Sequence, residues 1–155
     1  MSDIYINAQN GDINAFAKIY SKIYTNLYYL AYYSLANQEE AVDAVKNASY
    51  KAYSMIRDCD DEEEFNGLLL KKLCEQIIKK FREYGKVQPE HEKKPSYIKF
   101  VMRRLTDAER ISAALWAIFG LDVKEISMFS GISEKVVTEK LNSAMQKLET
   151  SLREH

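Results

Sequence analysis

At 155 residues the chain can hold one ordinary domain or two small ones. It is 46% hydrophobic and 29% charged with only 5 Gly and 2 Pro, which excludes a disordered chain and favours helices over long strands. A formal charge of −1 excludes a uniformly basic nucleic-acid binder, so any basic surface must be local.

No apolar run approaches the roughly 20 residues of a membrane-spanning helix, and the start MSDIYINAQNGD lacks both the basic region and the apolar region of a leader. These features predict a cytoplasmic protein without membrane insertion. Cys59 and Cys74 have no histidine at ligand spacing, so neither a zinc site nor a disulfide framework is expected. His91 and His155 lack a companion nucleophile or acid. No catalytic residue, metal or cofactor is therefore assigned.

In chain order, Gly11-Asp12 ends a short opening helix and places Asp12 to cap the next one by accepting backbone N–H groups. Phe16, Ile19, Tyr20, Ile23, Leu27, Leu30 and Ala31 recur at spacings of three and four, predicting one apolar face on a helix that runs to about Leu35. Asn37, followed by Glu40, opens another helix in the manner of a capping box, with Ala41, Val45, Ala48, Ala52 and Ile56 as its buried stripe. The stretch RDCDDEEEF reads as an acidic loop whose charges also suit the start of the following helix. That helix is predicted over Phe65–Tyr84, with Leu69, Leu73, Ile77 and Phe81 on one face.

The segment GKVQPEHEKKP carries both prolines, and basic residues outnumber acidic ones between Tyr84 and Arg104. The chain accordingly divides into a helical bundle at 1–84, a basic linker and connecting helix at 85–104, and a second domain at 105–155. Thr106 and Glu109 form a capping box ahead of a helix that Gly120 ends. A short helix starts at Asp122, Gly131 makes the turn, and Ser133 caps a last helix with Val137, Leu141, Ala144 and Leu148 facing inward. Helix, glycine turn, helix is the spacing of a DNA-binding helix-turn-helix, whose second helix enters the major groove. Many helical hairpins share that spacing.

Three stretches carry a resemblance to a known family: GDINAFAKIYSKIY, AVDAVKNASYKAY, and the long run LTDAERISAALWAIFGLDVKEISMFSGISEKVVTEKLNSAMQKL. In the last, Leu105, Arg110, Leu115, Gly120, Leu121, Glu125, Ile126, Gly131, Ile132, Ser133, Val137, Leu141, Ala144, Lys147 and Leu148 fall on the family pattern. The chain resembles the bacterial RNA polymerase sigma factors of the extracytoplasmic-function type, which keep only sigma regions 2 and 4. The resemblance implies an all-α fold, a region 2 bundle plus a region 4 helix-turn-helix. It also implies a sigma factor that is no enzyme, with core RNA polymerase and promoter DNA as partners. Region 2 of the family docks on the β′ clamp helices and melts the −10 element; region 4 docks on the β flap and reads the −35 element.

Carried onto matching positions, Asp43, Lys46, Asn47, Tyr50 and Tyr53 would face polymerase. Lys72, Gln76, Lys79 and Lys80 would follow DNA near −10, and Lys135, Thr138, Glu139, Lys140, Asn142 and Lys147 would serve the −35 helix. The chain departs from the pattern at DNA-facing places. Thr138 and Ser143 replace basic residues, Glu139 stands where the pattern has Ser, six acids occupy the stretch from Asp58 to Glu64, and Lys46-Asn47 replaces a Gln-Glu pair. A carboxylate repels phosphate, although it accepts a bond from cytosine N4 at a base edge. The alternative is a sigma-like regulator that binds an anti-sigma factor or polymerase without opening promoters. Two further choices stay open: Tyr20 to Tyr33 as stacking platforms or half-buried tyrosines, and Trp116 as a cover for the other lobe or a partner contact. The short linker predicts that the two lobes pack together.

Overall fold

The computed structural model describes residues 3–84 and 97–153, which are all-helical with no strand among them. Helix α1 spans Asp3–Gln9 and is fastened by its side chains. The buried Tyr5 hydroxyl and the Gln9 amide both donate to the carbonyls of Ile56 and Cys59 at 2.9–3.1 Å. Burial pushes the Tyr5 phenol up to about 12, so it remains a donor at any ordinary pH.

Helix α2, Ile13–Leu35, begins where Asp12 Oδ1 accepts from the backbone N–H groups of Asn14 and Ala15. It ends at Ala36, whose φ of 54° is left-handed, a conformation that a Cβ disfavours. Ala36→Gly should therefore raise stability by about 0.5–1 kcal/mol. A urea midpoint that is unchanged or lower would refute this.

Helix α3, Gln38–Tyr53, is capped by Asn37 Oδ1 on the N–H of Glu40. The alanines Ala41, Ala44, Ala48 and Ala52 let it lie close to its neighbours. Ile56 falls in a 3-10 turn, Ile56–Asp58, beyond the end of α3. Helix α4, Glu62–Tyr84, starts before the predicted Phe65 because Asp61 accepts from the Glu64 N–H while Glu64 returns a carboxylate to the Asp60 N–H. Half of the expected acidic loop is thus a helix start.

Helix α5 covers Tyr97–Arg103 and lies in the stretch read as linker, whose residues 85–96 fall outside the described ones. Helix α6, Asp107–Phe119, carries the Thr106–Glu109 capping box and ends on Gly120 at φ 66°. Helix α7, Val123–Ser130, opens on a second capping box, Asp122 with Glu125, and closes on Gly131 at φ 77°. Helix α8, Glu134–Arg153, starts at Ser133, whose hydroxyl accepts from the Val136 N–H at 3.3 Å.

Helices α1 to α4 form the first bundle, and α6 to α8 the second lobe. The two are not separate bodies. Helix α6 packs along α2 and α7 packs on α4, so one apolar cluster runs from Leu27, Leu30 and Leu73 to Ile111, Leu115 and Ile126. Fully burying each such side chain is worth about 1.5–3 kcal/mol. Hydrogen bonds also cross the joint: Arg110 Nε donates to the Ser34 carbonyl at 2.8 Å, and Lys71 Nζ to the Met128 carbonyl at 2.8 Å.

Candidate nucleic-acid and polymerase interfaces

The helix-turn-helix is built by its punctuation. The Ser130 hydroxyl donates to the Ile126 carbonyl and accepts from the Ile132 N–H, which fixes the turn around Gly131. The turn presents the first half of α8 outward, with Lys135, Thr138, Glu139 and Asn142 exposed and Lys140 half-buried. Thr138 spends its donor on the Glu134 carbonyl at 3.0 Å and can still accept. The outward face therefore mixes donors with the Glu139 carboxylate.

Lys147 has a partner within the chain. Its Nζ sits 2.7 Å from Oε1 of Glu109, a carboxylate with only 2% side-chain exposure. The Ser143 hydroxyl donates to the other oxygen of Glu109, and Thr106 N–H to the first. Burial works to raise the Glu109 pKa, but the hydrogen bonds from Lys147, Ser143 and Thr106 outweigh it and hold the carboxyl at about 2. This cluster ties α8 to α6. Lys147, expected to serve the DNA-facing helix, is thus also the partner of a buried carboxylate, with 39% of its side chain exposed.

Two of the α4 residues also turn inward. Lys80 is buried with its Nζ 2.6 Å from Glu40 and 2.7 Å from Asp43, both on α3, and Gln76 is buried on the same face. Burial acts to lower the Lys80 pKa, but the Asp43 and Glu40 hydrogen bonds and charges win and raise it. Lys80 therefore binds α4 to α3, and Gln76, expected with it to follow DNA, is buried on the same side of the helix. Lys79 is exposed and Lys72 half-buried, in loose pairs with Glu83 at 3.7 Å and Glu75 at 3.5 Å. Exposed pairs of this kind are worth little and yield readily to a phosphate.

On α3 the outward face reads Val42, Lys46 and Tyr50 at helical spacing, with Tyr50 80% exposed and Val42 46% exposed. Tyr53 flanks it and packs edge-on to Phe16 at 4.7 Å between ring centroids. Asp43 is committed to Lys80 and accepts from Asn47 at 3.2 Å, so these two shape the rim more than its centre. Val42 is an addition to the expected set. Its signal was an apolar residue off the buried stripe of α3.

The tyrosines of α2 form a continuous ladder from Tyr20 through Tyr24, Tyr28 and Tyr32 to Tyr33, with ring centroids 5.5–6.4 Å apart. Tyr24 and Tyr29 are exposed and the other four half-buried. Trp116 is 46% exposed and borders an apolar groove of about 250 Å³ shared with Tyr33, Met102, Met145 and Leu148. Among the described residues there is no cluster of metal-ligating side chains and no helix long and apolar enough to cross a membrane.

No protein-family model matches the chain, and no curated protein matches it. Among solved structures, the chain is similar to CnrH in its complex with the cytosolic domain of CnrY. The TM-score is 0.69 at 20% identity, over 97% of this chain and 95% of that one. The fold is that of an extracytoplasmic-function sigma factor. The likeness spans nearly the whole of both chains, so it covers the bundle and the helix-turn-helix together.

Proposed function

We propose that the chain is a divergent sigma factor that directs core RNA polymerase to a restricted set of promoters in the cytoplasm. The observation that carries this reading is the full-length likeness to a sigma-factor fold, with a helix-turn-helix whose second helix presents Lys135, Thr138, Lys140 and Asn142. In this reading α3 offers Val42, Lys46 and Tyr50 to the β′ clamp helices, and the second lobe meets the β flap. Lys72 and Lys79 follow the DNA backbone near −10. Phosphate contacts by a few lysines give affinity without sequence choice, so the choice falls to the base-facing side chains of α8.

The test is retention of core RNA polymerase by the purified protein, followed by transcription from a pool of genomic promoters. Stable retention with defined new start sites supports the reading, and absence of both removes it. Glu139→Arg should change the −35 preference while leaving the urea midpoint within about 0.5 kcal/mol of wild type, because the position is exposed. An unchanged promoter profile would count against Glu139 facing DNA.

A second reading has its own support. Lys80 and Lys147 are paired with acids of the chain itself, and acids occupy Asp58 to Glu64. Such a surface favours a regulator that engages an anti-sigma factor or polymerase without opening promoters; CnrH itself was solved with a cytosolic domain of CnrY. Polymerase retention without start sites selects this second reading.

A further inference from the structure

Trp116, Ala113, Ala117 and Ala114 follow one another around α6, so three short side chains in a row leave a hollow beside a large ring. Bulkier side chains stand around it. Tyr33 of α2, Met102 of α5 and Met145 of α8 line it together with Trp116, and the groove they enclose measures about 250 Å³. Ala113 and Ala114 are buried at its floor, whereas Trp116 and Met145, 46% and 41% exposed, stand at its mouth.

The lining restricts what can fill the groove. None of the described residues that line it is charged, and the only side-chain N–H or O–H groups among them are the Tyr33 hydroxyl and the Trp116 indole N–H. Water placed there lacks the two to four polar partners that hold it. An ionised ligand would lose hydration without meeting a counter-charge. An uncharged apolar ligand loses little and supplies the dispersion contacts that the hollow lacks.

Size narrows the choice further. At the roughly 30 Å³ that one water occupies in the liquid, the groove admits about eight to ten non-hydrogen atoms, bonded atoms packing closer than water. An α-helix, about 10–12 Å across, could place only a side chain or two in it. Two rings and two thioethers in the lining favour a flat aromatic occupant, because rings pair with Tyr and Trp and sulfur settles at ring edges.

We infer that the groove is a binding site for an uncharged aromatic molecule of about eight to ten non-hydrogen atoms, held against Tyr33 and Trp116 while Met102 and Met145 adapt to its edges. None of its lining residues is among those assigned to promoter DNA or to the β′ clamp helices, so the site stands apart from the function proposed above.

The test titrates the full chain, carrying carbon-13 in its methionine methyl groups, with indole and with two ions of equal size, benzoate and benzamidinium. Met102 and Met145 report on the groove, and Met55 and Met128, exposed and outside its lining, serve as internal references. The expected result is saturable shifts at Met102 and Met145 alone, with a dissociation constant of about 0.1 mM for indole. Both ions should bind about tenfold more weakly or worse. Ala117→Phe, at an exposed position, puts a ring into the hollow and should weaken indole about tenfold or more; Ala117→Leu serves if that variant fails to fold. Shifts spread over all four methionines, equal affinity for either ion, or shifts that survive in a filled variant overturn the site. So does the absence of saturable binding up to about 5 mM. Met102 and Met145 signals that move with protein concentration alone assign the groove to a second copy of the chain, and loss of polymerase retention in Ala117→Phe without any indole binding assigns it to a protein partner. Either result overturns the inference.

Discussion

Glu109→Ala is expected to lower the stability of the protein by about 2–3 kcal/mol, measured by urea unfolding followed by circular dichroism. One part is the lost return bond of a capping box, about 1 kcal/mol. The rest comes from leaving the Ser143 hydroxyl and the Thr106 N–H without their acceptor. Lys147 adds little, because its side chain is 39% exposed and regains water when its partner is gone. This keeps the loss below the 3–5 kcal/mol of a fully buried pair broken on one side. The pH dependence follows from the direction of the shift. Glu109 titrates at about 2 in the folded chain against an ordinary 4.5, so its contribution is complete above about 4.5 and fades as pH falls toward 2. The difference between wild type and Glu109→Ala should therefore shrink over that window. A gap constant from pH 6 down to about 2 would mean that the carboxylate charge contributes nothing.

Tyr50→Ala is the second large effect, and its signature is the opposite one. With 80% of Tyr50 exposed, its loss should leave the urea midpoint within about 0.5 kcal/mol of wild type. An aromatic anchor at the centre of an interface is typically worth about 2 kcal/mol, so polymerase retention should fall about 30-fold. Lys46 and Val42, one and two turns away on the same face, should show smaller losses. Full retention by the Tyr50 variant would move the polymerase contact off the outward face of α3.

The helix boundaries were legible because each is written in a few local residues. Asp12, Asn37, Thr106 and Asp122 cap where expected, and Gly120 and Gly131 stop the helices in left-handed conformations. Side-chain direction was less legible. On α4 the apolar residues Leu69, Leu73 and Ile77 defined a stripe, but the buried surface is wider and takes in Gln76 and Lys80. Lys80 follows Leu73 and Gln76 at spacings of seven and four, so its angle around the helix placed it at the edge of the core. What decided its fate was a pair of acids, Glu40 and Asp43, some 40 residues earlier. The pairing of Lys147 was illegible for the same reason, since its partner Glu109 lies on another helix. Local pattern sets how a helix turns its faces; a distant carboxylate decides whether a lysine meets water or a partner.

The tyrosine ladder of α2 has an optical consequence. Rings spaced 5.5–6.4 Å apart pass excitation energy efficiently from one to the next, and the last of them, Tyr33, borders the same groove as Trp116. That tryptophan is the chain's single one, so it is the acceptor at the end of the relay. The ladder stands on one lobe and the acceptor on the other. The share of light absorbed by the tyrosines that Trp116 emits therefore depends on how closely α6 lies against α2, which gives the unlabelled protein a fluorescence signal for the packing of its two lobes.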